Sequence, residues 1–355
     1  MNAFISGTRV ILSLELRQRV RGTAWYVLLG IFVVLVAIVT ILLSIAFTGF
    51  GSMGAGDAGG SIYSAIIYFV LLLGTLVAPA LSGNAINGDR DAGTLATTQV
   101  TLVTTGQIVV GKFLAAWITA LAFLAVSVPF LLYSWFVGGL TVDSILVSIL
   151  LLALELGVVA AIGVGLSGVI TRPLMSIVAT YLVVALLSIG TLIAFGLGGL
   201  AVQSTVVSTS SYGVSYADNG DVLSCSSEQT STYPTPRFDY FWGILVANPY
   251  VVLADAVPTS YDSNGNAEDL FGFIKQGVRS AQIAPDLTPD GQVCEVGTSD
   301  FYESGPSAQE TIESTVPGWF VGLAIQLVLG AGALAGAWAR TRTPAGKLPK
   351  GSRIA

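Results

Sequence analysis

Six long runs of apolar residues divide the chain, and polar segments separate them. A helix needs about 20 apolar residues to cross the hydrocarbon core of a bilayer, and each run reaches that length. The pattern therefore predicts an all-α polytopic membrane protein with six transmembrane helices. These lie near residues 24–47, 62–81, 113–133, 145–170, 174–200 and 319–338, so that the first five spans occupy 23–200 and the sixth 317–339.

Residues 1–22 precede the first span and predict an amphipathic helix. One helical face carries Ile5, Leu12, Leu16 and Val20, and another carries basic residues such as Arg17. A helix of this kind lies on the membrane surface with its apolar face in the lipid. A basic tail that only sets the topology is the alternative, and the sequence leaves it open.

The distribution of basic residues predicts the orientation in the membrane. Twelve of the 15 Lys and Arg residues lie before the first span, in the loop 84–112, between the fourth and fifth spans, or in the tail 340–355. These segments alternate along the chain, so all of them fall on one side of a six-span protein. Basic loops stay on the cytoplasmic side, and we therefore expect both termini to be cytoplasmic.

The segment 201–316, between the fifth and sixth spans, has the opposite charge, with 15 acidic and three basic residues. It is therefore expected to form a large extracellular domain. Its stretch 238–257 is nearly apolar enough for a seventh span, but Asn248-Pro249 interrupts it, and an odd number of spans would move the basic tail outside. We expect a re-entrant or interfacial pair of short helices there.

Both cysteines of the chain, Cys225 and Cys294, lie in this acidic segment. An extracellular location is oxidising, so the pair predicts a disulfide bond. Two unpaired thiols are the alternative.

Composition excludes several classes of chemistry. The chain is 53% hydrophobic and 10% charged, and it contains no histidine. Histidine bases and histidine metal ligands are thereby excluded, and two cysteines cannot complete a four-ligand zinc site. We therefore predict no metal site and no catalytic residue, so the chain is not expected to be an enzyme.

Glu155 is the one ionisable residue that falls deep inside a predicted span. Charged groups there are costly, and they usually face a cavity or a partner. Glu155 could line a substrate or cation path, or hydroxyl groups of a neighbouring helix could hold it in a structural role. The sequence leaves both interpretations open.

The segment from Gly106 to Lys112 has the glycine and lysine spacing of a phosphate-binding loop. The next residue is Phe113, where such a loop needs the Ser or Thr hydroxyl that binds magnesium. The segment also leads into a predicted span. We therefore expect Gly111 to allow close helix packing and Lys112 to anchor the third span at the lipid headgroups.

The same loop resembles the cytoplasmic loop of ABC-2 type transporter permeases. The family pattern of acidic, basic, acidic, any residue and Gly-Thr-Leu is matched by Asp89-Arg90-Asp91-Ala92-Gly93-Thr94-Leu95, and Gly111-Lys112 opens the third span. The layout of the whole chain is also similar to the family. The chain departs from it in lacking the usual turn proline, where Thr101 to Thr105 stand, and in its large outer domain.

The resemblance implies the permease subunit of an ATP-binding cassette exporter in a prokaryotic cell membrane. ATP and Mg²⁺ would bind to separate ABC ATPase subunits, so no cofactor is expected in this chain. The expected partners are those ATPases, a second permease protomer of the same or a homologous chain, and the lipid bilayer, with no nucleic acid.

A short charged segment in the loop is expected to dock in a cleft of the ATPase. Asp89, Arg90 and Asp91 would give charge complementarity, and Thr94 and Leu95 would give a buried contact. A solvated loop is the alternative.

Two other functions stay open at this point. One is a permease that extrudes sodium or another cation, which Glu155 would favour. The other is a membrane-anchored receptor or scaffold, which the size of the outer domain would favour.

We predict that labelling the unreduced, denatured protein with a thiol reagent finds no free thiol, because Cys225 and Cys294 are joined. Substitution of either cysteine should loosen the outer domain and leave membrane insertion intact. Quantitative labelling of both cysteines would contradict the disulfide.

Overall fold

A computed structural model of the protein describes residues 2–49, 58–93, 103–212, 215–216, 222–224, 227–288 and 305–342. Within these ranges, six helices are long and apolar enough to cross a membrane, which confirms the prediction of a helical polytopic membrane protein. The first span continues as a π-helical turn at Ile45–Gly49, and the fifth contains one at Leu186–Gly190. The spans are Thr23–Ser44, Ala58–Ser82, Thr105–Val137, Val142–Val169, Pro173–Ala201 and Trp319–Thr341.

Two shorter helices lie at one end of the bundle, which we call the inner end. The N-terminal helix (Asn2–Arg21) ends at Gly22, whose extended backbone separates it from the first span. The inner helix (Asn87–Asp91) follows the second span. The opposite, outer end carries the helices Phe238–Tyr240, Trp242–Leu245, Pro249–Ala256, Leu270–Ser280 and Ala308–Glu313.

The third span begins eight residues before the predicted position. Thr104 forms a capping box with Gln107, in which each side chain accepts a hydrogen bond from the backbone N–H of the other residue. A capping box starts a helix by satisfying two amide groups that have no partner within the helix. The segment from Gly106 to Lys112 is therefore helical, and it is not a phosphate-binding loop.

One face of the N-terminal helix packs against the third span, and the predicted position of the helix on the membrane surface stays a prediction. Thr8 and Ile11 are buried on the side that packs against the third span. Ile5 and Val20, which belong to the predicted apolar face, are exposed. The helix therefore contacts the protein with a mixed polar and apolar face and leaves much of its apolar surface uncovered.

The fourth span lies among the second, third and sixth spans. Its Leu152 and Leu156 are fully buried in the largest hydrophobic core. Nearer the inner end, a Cβ atom added to Gly165 would overlap Ala333 of the sixth span. Close packing of small residues drives helix association in lipid, where hydrophobic burial contributes little. The backbones of the fourth and sixth spans can therefore approach closely.

The segment after the fifth span contains β-strands, which the all-α prediction lacked. Strand β1 (Gln203–Tyr212) pairs antiparallel with β4 (Ser227–Pro236). The short strands β2 (Ser215–Tyr216) and β3 (Val222–Ser224) pair within the same hairpin. The Thr and Val residues of β1 favour a strand, although most residues of the hairpin are polar.

Several predicted features lie partly or wholly outside the described residues. Cys225 and Cys294 belong to these, so the disulfide stays a prediction. The basic tail is described only to Arg342. Two short helices, Trp242–Leu245 and Pro249–Ala256, flank the Asn248-Pro249 interruption, and their position relative to the membrane stays a prediction.

We expect Gly165→Val to destabilise the bundle by about 3 kcal/mol, because the new side chain would force the fourth and sixth spans apart. Thermal unfolding of the purified protein in detergent measures the effect. Gly332→Val is the matched control, because a Cβ atom at Gly332 of the sixth span meets no neighbouring atom within 4 Å. Equal losses in both variants would contradict this account of the packing.

Candidate functional site

A buried lysine joins three elements at the inner end. Lys112 of the third span is 2% exposed. Its Nζ atom forms an ion pair with Glu15 of the N-terminal helix and lies 2.7 Å from Oδ2 of Asp89 in the inner helix. Two carboxylates thus neutralise one buried ammonium group, which would otherwise carry a desolvation cost of several kcal/mol. We call Glu15, Asp89 and Lys112 the inner charge cluster.

The inner helix is also fixed to the end of the fourth span. The backbone N–H groups of Ile86 and Asn87 donate hydrogen bonds of 2.9 and 3.1 Å to Oγ of Ser167. The guanidinium group of Arg90 donates to Oδ1 of Asn87 at 2.9 Å. Arg90 also donates to the carbonyl of Gly168 at 3.4 Å, so these bonds hold the start of the inner helix against the end of the fourth span.

The N-terminal helix lies along the inner half of the third span. The side chain of Gln107 donates a hydrogen bond to the carbonyl of Phe4, and Gly111 leaves room for Ile11. Arg19 donates to the carbonyl of Leu81 at the end of the second span. Burial lowers the pKa of Arg19, and the negative charge of Glu15 opposes that shift.

We expected from the sequence that Lys112 anchors the third span at the lipid headgroups. The structure shows instead that Lys112 is buried within the protein. The capping box starts the helix at Thr105, so Lys112 lies two turns inside it and is covered by the N-terminal helix. Lys112 is instead paired with Asp89, one of the residues predicted to contact the ATPase. The capping-box sequence at 104–107 was the signal that could have corrected the start of the third span, whereas no local signal indicates the pairing of Lys112 with Asp89.

The residues predicted to contact an ATPase divide into three groups. Asp89 and Arg90 are half-buried and bind within the protein. Asp91 is exposed at the end of the inner helix. Thr94 and Leu95 lie outside the described residues. Within the described part of the loop, Asp91 is the acidic residue that a partner can reach directly.

A large cavity opens between the first, second and fifth spans, beneath the outer helices. Its volume is about 760 Å³. Apolar side chains form most of the lining, and a few polar groups, including Thr75, Tyr181 and Tyr250, are interspersed. A mostly apolar cavity with a small number of polar groups suits an apolar or amphiphilic small molecule.

The outer turn (246–248) borders this cavity through Asn248. The Asn248 side chain donates hydrogen bonds to the carbonyl of Ser188 at 2.7 Å and to Oγ1 of Thr191 at 2.9 Å. Ser188 lies in the π-helical turn of the fifth span. Such turns leave backbone groups without their normal helical partner. The outer turn is therefore attached to an irregular point of the fifth span.

A second charge cluster connects the outer helices to the sixth span. Oδ1 of Asp255 accepts a hydrogen bond from Nε of Arg279 at 2.7 Å, and Oδ2 accepts from the backbone N–H of Gly318 at 2.7 Å. The ammonium group of Lys275 donates to the carbonyl of Val257, and burial lowers its pKa to about 8. No local sequence pattern indicated this cluster, because its members are far apart in the chain.

Glu155 is a residue of the fourth span, and its side chain lies inside the bundle, facing the sixth span. It is 1% exposed, and its carboxyl group interacts with the side chain of Gln326, which is also 1% exposed. Glu155 is not among the residues that line the large cavity. Its role in a substrate or cation path stays a prediction.

One family is similar to this chain over most of its length. The family model described as ABC-2 family transporter protein matches residues 9–254. The match includes the N-terminal helix from Arg9, the first five spans, the inner charge cluster and the outer turn. Among curated proteins, no significant match was found.

We expect Lys112→Met to lower the free energy of unfolding by about 3 kcal/mol, because Glu15 and Asp89 would be left facing each other without a counter-charge. Denaturation of the purified protein in detergent measures the loss. Addition of Glu15→Gln and Asp89→Asn to the same variant should restore part of the stability, since no uncompensated charge then remains. Arg340→Met, which removes an exposed charge from the sixth span, is the control. An unchanged stability of Lys112→Met would contradict the role of the cluster.

Proposed function

This chain belongs to the ABC-2 family of transporter proteins, and we propose that it is the permease subunit of an exporter that separate ATPase subunits drive. The family match supports a membrane-spanning component of an ABC transporter. The outward direction and the partner ATPases are our proposal.

The inner charge cluster is the observation that carries this proposal. It joins the inner helix, the N-terminal helix and the third span through one buried lysine. A buried ion pair is strongly destabilised when one partner is withdrawn, so its three elements tend to move together. A partner that pushes on the inner helix would therefore displace all three elements.

The proposed mechanism begins with the ATPase subunits, which bind ATP and close on each other. The exposed face of the inner helix, with Asp91, receives that movement on the cytoplasmic side. The hydrogen bonds to Ser167 transmit the movement to the fourth span. The inner charge cluster transmits it to the third span and to the N-terminal helix. The spans then change the access of the substrate from the inner side to the outer side.

The large cavity is the proposed place for the apolar part of the substrate. It opens between helices that lie in the membrane, so an amphiphilic molecule could enter it from the lipid. The fifth span has an exposed apolar face that includes Leu182, Leu186 and Leu197. We propose that a second permease protomer covers part of this face in the assembled transporter.

We expect Asp91→Arg to reduce the amount of ATPase that remains on the purified permease by at least about tenfold. Like charges that face each other in a partly desolvated contact cost several kcal/mol. Tagged permease is purified from native membranes, and each co-purifying chain that carries an ATP-binding cassette is quantified by mass spectrometry. Asp91 is chosen instead of Asp89, because reversal of Asp89 would also disrupt its ion pair with Lys112.

Asp143→Arg is the matched control. Asp143 is an exposed carboxylate in the first turn of the fourth span, at the outer end of the bundle, so its reversal should leave ATPase retention unchanged. Both variants must insert and elute as monodisperse protein. Equal retention by wild type and Asp91→Arg would remove the inner helix as the docking element.

A further inference from the structure

Two buried side chains in the middle of the bundle have oxygen atoms without a hydrogen-bond donor. Glu155 is on the fourth span and Gln326 is on the sixth. Within the part of the chain that the structure describes, Oε1 of each residue is buried and accepts no hydrogen bond. Such groups are rare, because a buried acceptor without a donor loses the hydrogen bonds that water would give it. A hydrogen-bond donor at these two oxygens would therefore stabilise the bundle.

The orientation of the Gln326 amide group is fixed by the outer turn. Its Nε2 atom donates a hydrogen bond of 3.1 Å to the carbonyl oxygen of Ala247. A carbonyl can only accept, so the amide nitrogen must face Ala247, and the amide oxygen must point elsewhere. Rotation of the amide group cannot supply the missing donor without loss of the contact to the outer turn.

No positive charge is available for Glu155 among the described residues. The one interacting side chain is Gln326, which is uncharged. The charged residues on neighbouring elements have other partners or lie at the inner end, and the tyrosine hydroxyl groups bind elsewhere. The charged residues are Lys112 of the third span, Asp255 of the outer helices and Arg340 of the sixth span. The tyrosines are Tyr63 and Tyr68 of the second span, Tyr181 of the fifth and Tyr250 of the outer helices.

We propose that Glu155 is a proton-binding site and that its protonated form maintains the contact between the outer turn and the bundle. A neutral carboxylic acid removes the cost of a buried, uncompensated charge, and its O–H group is a donor for an otherwise unsatisfied oxygen. The proton supplies the hydrogen-bond donor that a carboxylate lacks at this position. A bound monovalent cation would also suit two buried oxygens, but a site with so few oxygen ligands favours the proton.

Loss of the proton from Glu155 would weaken the contact between Gln326 and the outer turn. The amide nitrogen of Gln326 has two N–H groups, so it can donate to Ala247 and to Glu155 at once. Without the proton, Oε1 of Glu155 and Oε1 of Gln326 both lack a donor, and repulsion between the carboxylate and the amide oxygen would turn the amide group away from Ala247. The turn would then keep Asn248 bound to the fifth span while its contact with the sixth span weakened. Glu155 is thus a positioning residue for the element that borders the cavity. Its use in a transport cycle rests on the proposed function, whereas the proton site does not.

Infrared difference spectroscopy of the full-length protein in lipid nanodiscs tests the site directly. The carbonyl stretching band of a protonated carboxylic acid should be present at neutral pH in the wild type and absent from Glu155→Gln. Asp143→Asn, which alters an exposed carboxyl group on the same helix, should keep the band. Absence of the band from the wild type overturns the proposal, and so does its loss when sodium is added at constant pH, because a cation would then occupy the site.

Hydrogen–deuterium exchange of residues 242–256 tests the connection to the outer turn. Glu155→Gln should keep the exchange rates within about twofold of the wild type, since an amide also donates to Gln326. Glu155→Leu and Gln326→Leu should each raise them by about tenfold. Val328→Leu, at an exposed position on the sixth span, should leave them unchanged. Unchanged exchange in Glu155→Leu would overturn the connection. None of these measurements needs an ATPase, so their failure is distinct from failure of the proposed function.

Discussion

Lys112 carries its charge two helical turns inside the third span, and a buried ammonium group in a membrane protein must be neutralised by the protein itself. That requirement decides the arrangement of the inner end. Glu15 brings the N-terminal helix onto the third span, and Asp89 brings the inner helix to the same point. Glycine at position 111 allows the approach, because any Cβ atom there would contact Ile11. One charge therefore joins these two helices to the third span.

The same constraint acts on uncharged polar groups at the outer end. A helix that stops within or near lipid leaves backbone groups that water cannot satisfy. At the outer turn, Gln326 and Asn248 satisfy such groups by bonding to the carbonyls of Ala247 and Ser188. These bonds hold the outer turn between the fifth and sixth spans and leave the large cavity beneath it.

The fourth span connects the two ends. Ser167 binds the inner helix, Glu155 lies near the middle, and Gly165 allows the close contact with the sixth span, whose other end holds the outer turn. A member of a transporter family needs a route between the side that receives energy and the side that releases the substrate. In the proposed function, the fourth span and its contact with the sixth provide that route.

The sequence by itself determined the number of spans and their approximate limits, because the length of an apolar run must match the thickness of the bilayer. The motif at 89–95 gave the family resemblance. The sequence also identified Asp89 and Glu155 as unusual residues. The tertiary structure decided what these residues contact: Asp89 faces Lys112, and Glu155 faces Gln326. It also decided that the segment after the fifth span forms a β-hairpin. A run of apolar residues shows whether a segment lies in lipid. The partner of a buried polar group can lie far away in the chain, as Gln326 lies 171 positions from Glu155. No local sequence pattern predicts such a pair.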